Sequence, residues 1–283
     1  MSSQCIYCGN AGSSKEHVWP KWIREHAKNV MGIDPVNVQE YRGTRQHRAS
    51  APSETFEKKG HSRLSLVIRH PCVRCNNEWL SLLETAVAPI LTPMIEGSDR
   101  GLSYHDARIL HNWATKTALH IAYASERGFT YPVPTRLANE LYAGRADNTP
   151  VRFVKVWVAK YEPLGQFAYR HMAAQGFGVV PINGEVHQVI RVIMIAGHAV
   201  FYVRMPDVSS AQPLAWRDPL TAFRALHSVR DGETVPWSGA TLSDSGVSQA
   251  MNRHINAEIY PGEDLGVWSG LEAPTTSPRR PDE

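Results

Sequence analysis

The sequence predicts an α+β protein with two domains, and three features of the chain support this prediction. All four cysteines lie within the first 75 of the 283 residues, as two Cys-x-x-Cys pairs. Apolar residues at helical spacing follow the second pair, whereas from residue 151 they alternate as in antiparallel strands. We therefore expect one domain over residues 1–98, a second over residues 99–265, and a disordered tail over residues 266–283.

The two cysteine pairs together make a complete ligand set for one structural Zn²⁺. Cys5 and Cys8 form the first pair, and Cys72 and Cys75 form the second. Four thiolates give the closed tetrahedral coordination of a structural zinc site. The chain does not open with a basic stretch followed by an apolar segment. We therefore expect no export signal, a reducing cytoplasm, and metal binding in place of disulfide bonds.

Between the two cysteine pairs, the sequence predicts short elements and a long basic segment. Residues 21–28 fit one or two helical turns, residues 32–60 show no periodicity and are expected to be an irregular excursion, and residues 63–69 alternate like a strand. From Arg42 to Arg74, eight basic residues stand against two acidic ones, a local charge of +6. Such a segment indicates a phosphate-bearing partner, although a solvated loop is equally compatible with it.

A helix is predicted directly after the second cysteine pair. Asn76 or Asn77 is a suitable N-cap, and apolar residues recur at helical spacing as far as Ile90. Pro89 and Pro93 are expected to bend or end this helix. We place the domain boundary shortly after it, at residue 98.

The second domain is predicted to combine helices with an antiparallel sheet. A capping box of Ser103 and Asp106 starts a helix that Gly128 ends, and a shorter helix follows over residues 135–142. Strands are predicted over residues 151–161, 166–172, 177–181, 185–195 and 198–205, with a hairpin turn at Ala196-Gly197 and a last helix over residues 243–258. No P-loop, dinucleotide fingerprint or Ser-His-Asp pattern occurs in this part of the sequence.

Four residues of the first helix in this domain lie at neighbouring helical positions: Trp113, Lys116, Thr117 and His120. They could contact the first domain or a substrate, although a helix that faces the core explains most of them. The longest apolar run, residues 186–203, is interrupted by polar and charged residues, so we expect no membrane span.

Three motifs in the first domain resemble those of the HNH endonucleases, which are ββα-metal nucleases. They are Cys5-Ile-Tyr-Cys8-Gly9, then Glu16-His17-Val18-Trp19-Pro20, then Cys72-Val-Arg-Cys75-Asn76-Asn77. The resemblance covers residues 1 to about 96, in the variant that has Glu-His where others have Asp-His. It implies that two strands and a helix hold one catalytic divalent cation, while a separate Cys₄ zinc site supports the scaffold.

The resemblance implies a role for each residue that matches a motif. His17 matches the general base that activates the attacking water, and Glu16 matches the acidic ligand of a catalytic Mg²⁺ or Mn²⁺. Asn76 matches the asparagine that binds this cation or orients the histidine, with Asn77 as the near alternative. A further histidine of the family is missing, and Glu84 is the candidate for the remaining oxygen ligand, although a plain surface acid fits that position as well.

The family also has a basic residue after the asparagine, which contacts phosphate and is replaced here by Glu78-Trp79. Lys15, Arg69 and Arg74 are the candidates for that nucleic-acid contact.

The resulting interpretation is a cytoplasmic, metal-dependent endonuclease that hydrolyses phosphodiester bonds of DNA. RNA as substrate and a homodimer remain open. The alternative is a non-catalytic, zinc-containing module that binds nucleic acid, in which His17 and Asn76 are structural.

Overall fold

The computed structural model of the chain is a mixed α+β structure, in agreement with the predicted class. It describes residues 4–31, 39–46, 54–60, 66–125, 133–162, 172–182, 185–206, 221–237, 239–251 and 267–269. The helices are α1 (Lys21–Met31), α2 (Val73–Cys75), α3 (Ser81–Ile95), α4 (Tyr104–Ser125), α5 (Thr135–Ala143) and α6 (Asp244–Met251). None of these helices is both long and apolar enough to cross a membrane.

Thirteen strands accompany the helices in the described parts of the chain. They are β1 (Glu16–His17), β2 (Gln39–Gln46), β3 (Glu54–Gly60), β4 (Val67–Ile68), β5 (Gly101–Ser103), β6 (Lys155–Tyr161), β7 (Met172–Ile182), β8 (Glu185–Ala196), β9 (Ala199–Pro206), β10 (Arg224–Ala225), β11 (Thr234–Pro236), β12 (Thr241–Leu242) and β13 (Val267–Ser269).

Two short strands and a helix form the centre of the N-terminal region. β1 pairs antiparallel with β4, with Glu16 opposite Ile68 and His17 opposite Val67. The chain then enters α2, continues through a π-helical turn, Asn76–Leu80, and passes directly into α3. The order strand, strand, helix follows from the sequence, because an alternating segment leads into an apolar run at helical spacing.

The basic segment is more regular than the sequence predicted. We expected an irregular excursion over residues 32–60, but β2 and β3 lie within it and pair antiparallel, with Gly43 opposite Phe56. β13 pairs with β2 on the other side, although it lies where we expected a disordered tail. These strands join through backbone hydrogen bonds, which require no apolar period in the sequence. α1 also runs three residues beyond the predicted residues 21–28.

A six-stranded sheet forms the largest element of the C-terminal region, in the order β10-β6-β9-β8-β7 with β12 beside β6. The predicted strands over residues 185–195 and 198–205 correspond to β8 and β9, and the predicted strand over residues 177–181 falls within β7. Of the predicted strand over residues 151–161, residues 155–161 form β6, while residues 151–154 form a turn before it. Of the predicted strand over residues 166–172, all but the last residue lie outside the described residues, as do residues 252–258 of the predicted last helix.

α4 is the central helix of the structure. Its predicted capping box is present, since the Ser103 N–H donates to Asp106 Oδ2 and the Asp106 N–H donates to Ser103 Oγ, both at 3.1 Å. Residues 109–123 are all buried, between α3 on one side and the large sheet on the other, where Trp113 packs edge-on against Phe201. One hydrophobic core extends from Cys5 to Trp237 and crosses residue 98. The division into two domains therefore stays a prediction.

The turn between β8 and β9 docks the large sheet against the end of α3. The His198 N–H donates to the Ile95 carbonyl at 3.0 Å, and Gly197 adopts a positive φ of 57°. A Cβ added to Gly197 would lie 2.4 Å from the Ile95 carbonyl oxygen. The turn therefore needs glycine both for its backbone conformation and for the close approach of two backbones.

We expect Gly197→Ala to destabilise the protein more than Gly232→Ala. Both glycines have positive φ, so both substitutions add left-handed strain of about 1–2 kcal/mol, but a Cβ at Gly232 meets nothing within 4 Å. The clash at Gly197 should cost about 1–3 kcal/mol more, because the Ile95 backbone must move. Urea unfolding of the two variants measures the difference, and equal losses would contradict the close docking.

Candidate functional site

The four cysteines converge, as the sequence predicted. Their Sγ atoms all lie within 4.8 Å of one another, and those of Cys8 and Cys72 are 3.6 Å apart. Four sulfurs at zinc–thiolate bond length around one ion lie about 3.8 Å apart, so the donor set fits a tetrahedral metal site. Cys5, Cys72 and Cys75 are buried, Cys8 is partly buried, and no disulfide joins them. The cluster could therefore hold a metal ion, for which zinc is our proposal.

Backbone N–H groups surround the sulfurs of this Cys₄ cluster. The Cys72 N–H donates to Cys5 Sγ at 3.2 Å, and the Cys75 N–H donates to Cys72 Sγ at 3.4 Å. Burial raises the pKa of Cys5, but backbone N–H groups outweigh it and bring that pKa down to about 7. Burial raises the pKa of Cys75. A bound metal cation would stabilise all four sulfurs as thiolates.

A fully buried lysine joins two of the predicted site residues. The Lys116 Nζ lies 3.0 Å from Glu16 Oε1 and 2.7 Å from Glu84 Oε1. The lysine side chain has no exposed surface, whereas the side chains of Glu16 and Glu84 are 10% and 22% exposed. The three residues come from β1, α3 and α4. We call this group the carboxylate–lysine site.

The charges in the carboxylate–lysine site do not balance, because two carboxylates share one ammonium. Burial raises the pKa of Glu16, and the nearby Glu84 carboxylate adds to this effect, while Lys116 opposes it. Burial alone would lower the pKa of Lys116, but the two carboxylates outweigh burial and raise it. Lys116 is therefore an ammonium at neutral pH, and the site has a formal excess of one negative charge when both carboxyls are ionised.

His17 follows Glu16 on β1 and is partly buried beside this site. Its Nδ1 is buried and has no hydrogen-bond partner within the described parts of the chain. Burial lowers the pKa of His17, and the positive charge of Arg24 lowers it further, while Glu84 acts in the opposite direction. The imidazole is therefore neutral at pH 7, which is the form that can take a proton from water.

The two asparagines lie in the π-helical turn Asn76–Leu80, and neither is the predicted N-cap, because the helical backbone begins earlier with Cys72 as the N-cap of α2. The Asn76 side-chain amide donates to the Lys15 carbonyl at 3.2 Å and so ties the π-helical turn to the residue before Glu16. Asn77 is exposed on the same turn. π-helical turns within helices are frequent at functional sites. The predicted roles of both asparagines toward a cation stay predictions.

The three basic residues expected to contact nucleic acid are all exposed. The register of β1 and β4 brings Lys15, which precedes β1, and Arg69, which follows β4, to the same end of the strand pair. Arg74 forms an exposed ion pair with Glu78 at 3.2 Å. The predicted phosphate contacts of all three residues stay predictions.

A buried hydrogen bond connects α4 to the loop that carries the first cysteine pair. Tyr7, between Cys5 and Cys8, has its hydroxyl 2.6 Å from His120 Nε2. His120 lies one helical turn after Lys116 on α4. Burial lowers the pKa of His120 well below its ordinary value, so this histidine is neutral. α4 thus contacts both the carboxylate–lysine site and the loop of the Cys₄ cluster.

No protein-family model, no curated protein and no solved structure matches this chain. What the arrangement can do follows from its own chemistry. It combines four thiols suited to a structural metal with two carboxylates that pair with one buried lysine, and a neutral, partly buried histidine follows one of these carboxylates on its strand.

Replacing Cys72 by Ser should abolish metal binding and destabilise the N-terminal region. A closed zinc site contributes its binding free energy to folding, about 10–16 kcal/mol in zinc-finger peptides, and a serine hydroxyl does not replace a thiolate ligand. We expect zinc content to fall from about one ion per chain to near zero and the melting temperature to fall with it. Val73→Ser, at a neighbour that is 58% exposed, is the matched control. Normal zinc content and melting of the Cys72 variant would contradict the Cys₄ site.

Proposed function

We propose that this chain is an HNH-type endonuclease that hydrolyses phosphodiester bonds of DNA. One observation supports the proposal: Lys116 pairs with both Glu16, on β1, and Glu84, on α3, and His17 follows Glu16 on the same strand. The resemblance of the motifs implies this arrangement of two strands and a helix. Glu84, which the sequence left open between ligand and surface acid, faces Glu16 across a single ammonium.

His17 is the proposed general base. As a neutral imidazole it accepts a proton from a water molecule, and the resulting hydroxide attacks the phosphorus in line with the leaving oxygen. The bond between the phosphorus and the 3′-oxygen breaks, and that oxygen takes a proton from water, so the products are a 5′-phosphate and a 3′-hydroxyl. The partial exposure of His17 leaves a path for water and substrate.

A catalytic Mg²⁺ or Mn²⁺ belongs to this proposal. Carboxylate oxygens are ligands that these hard cations prefer, and Glu16 and Glu84 would hold the ion, with Asn76 as a further candidate ligand. A cation bound there would stabilise the negative charge that develops on the phosphorane and on the leaving oxygen.

Exposed basic residues support a nucleic-acid substrate. Lys15 and Arg69 lie at the end of the strand pair that carries Glu16, and they are proposed to contact the phosphates that flank the scissile bond. The basic segment from Arg42 to Arg74 would extend this contact along the nucleic acid.

Purified protein should cleave supercoiled plasmid DNA with Mg²⁺ or Mn²⁺, and His17→Ala should reduce the rate by about 10²–10⁴-fold, the usual contribution of a general base. Gel electrophoresis of nicked and linear products measures the rate. His105→Ala, at an exposed histidine in the first turn of α4, is the matched control and should cleave normally. EDTA should stop cleavage by the wild-type and His105→Ala proteins.

Two outcomes would decide against parts of this proposal. Unchanged cleavage by a folded His17→Ala protein would show that another group is the base. If the wild-type protein bound DNA in a salt-sensitive manner but did not cleave it, the chain would instead be a non-catalytic, zinc-containing binding module.

A further inference from the structure

Lys116 is placed where a lysine is rarely found. Lysine is almost never fully buried unless it is paired, and Lys116 has no exposed surface in the middle of a helix that is otherwise packed in the core. Its ammonium is paired with two carboxylates from two other elements, β1 and α3. The Lys116 ammonium therefore lies between Glu16 and Glu84, which are the two predicted acidic ligands of the cation.

An ammonium and a divalent cation exclude each other at this point. The Lys116 Nζ lies within 3.0 Å of one oxygen from each of Glu16 and Glu84. An ion such as Mg²⁺ needs oxygen ligands at about 2.1 Å, so an ion bound between the same carboxylates would lie in or against the volume of the ammonium. Two positive charges so close together repel strongly, because the buried surroundings screen them poorly.

We propose that Lys116 is the built-in counter-ion of the Glu16–Glu84 pair, and that a divalent cation binds this pair only in exchange for the Lys116 ammonium. This inference rests on the proposed function, since that function assigns the two carboxylates to the cation. Lys116 acts through these carboxylates and is therefore a positioning residue. In the protein without the divalent cation, it keeps the Glu16 carboxylate of β1 and the Glu84 carboxylate of α3 close together.

The exchange has a direct consequence for affinity. In the wild-type protein, a divalent cation must break two buried ion pairs before it gains two ligands. Without the ammonium, the same carboxylates would be two negative charges close together, which attract a dication strongly and destabilise the fold until one binds. Removal of the lysine charge should therefore tighten cation binding and make folding depend on the cation.

Lys116→Met tests the exchange, because methionine is unbranched like lysine but carries no charge. Isothermal titration of the zinc-loaded proteins with Mn²⁺ alone, without DNA, should show at least tenfold tighter binding to the variant than to the wild type. Lys21→Met, at a lysine that is 79% exposed and paired with Glu25, is the matched control and should bind as the wild type does. Adding Glu84→Gln to Lys116→Met should remove the tighter binding.

Thermal melting provides the second measurement. Lys116→Met should melt at a lower temperature than the wild type, and excess Mn²⁺ should raise its melting temperature more than that of the wild type. If the variant is unfolded without Mn²⁺, the proposal requires that Mn²⁺ refolds it. A variant that binds Mn²⁺ no more tightly than the wild type, or that Mn²⁺ neither stabilises nor refolds, would overturn the exchange.

These measurements separate the exchange from the nuclease proposal, because neither uses DNA cleavage. Tight, Glu84-dependent Mn²⁺ binding by Lys116→Met would support the exchange even if the wild-type protein cleaved no plasmid. Conversely, the wild-type protein could cleave DNA with Mn²⁺ while the wild type and Lys116→Met bound Mn²⁺ equally well. That result would support the nuclease proposal and overturn the exchange alone.

Discussion

The ammonium of Lys116 between two carboxylates is the interaction on which the arrangement of the site depends. A buried charge that loses its partner costs about 3–5 kcal/mol, so α4 can keep this lysine in the core only where acidic groups meet it. β1 supplies Glu16 and α3 supplies Glu84. The need to neutralise one buried charge therefore fixes the strand pair and the helix after it relative to α4.

The Cys₄ cluster and the large sheet hold the remaining parts around α4. The cysteines join the first loop to the start of the helix that carries Glu84, and the hydrogen bond between Tyr7 and His120 ties that loop to α4. On its other side, α4 packs against β6, β8 and β9, and the turn at Gly197 reaches the end of α3. The C-terminal region thus supplies both the lysine of the site and the support behind it.

Local patterns predicted much of this arrangement, and long-range contacts account for what they missed. The spacing of the cysteines was enough to predict their convergence. Each pair is a local turn, and four thiolates together complete the tetrahedral coordination of one zinc ion. The sequence indicated Lys116 only as a residue of a core-facing helix that could contact the first domain or a substrate. Its pairing with Glu16 and Glu84 depends on how α4 packs against α3, which no local period encodes. β2 and β3 were missed because backbone hydrogen bonds hold them together.

The central claim is that Glu16 and Glu84 surround one point, which either Lys116 or a divalent cation occupies. A crystal structure of the wild-type protein soaked in Mn²⁺, with anomalous data collected for manganese and zinc, tests it most directly. We predict a zinc peak among the four cysteines and a manganese peak within bonding distance of both carboxylates, with the Lys116 ammonium moved away. A manganese ion bound elsewhere, or bound to these carboxylates while Lys116 still pairs with both, would contradict the account.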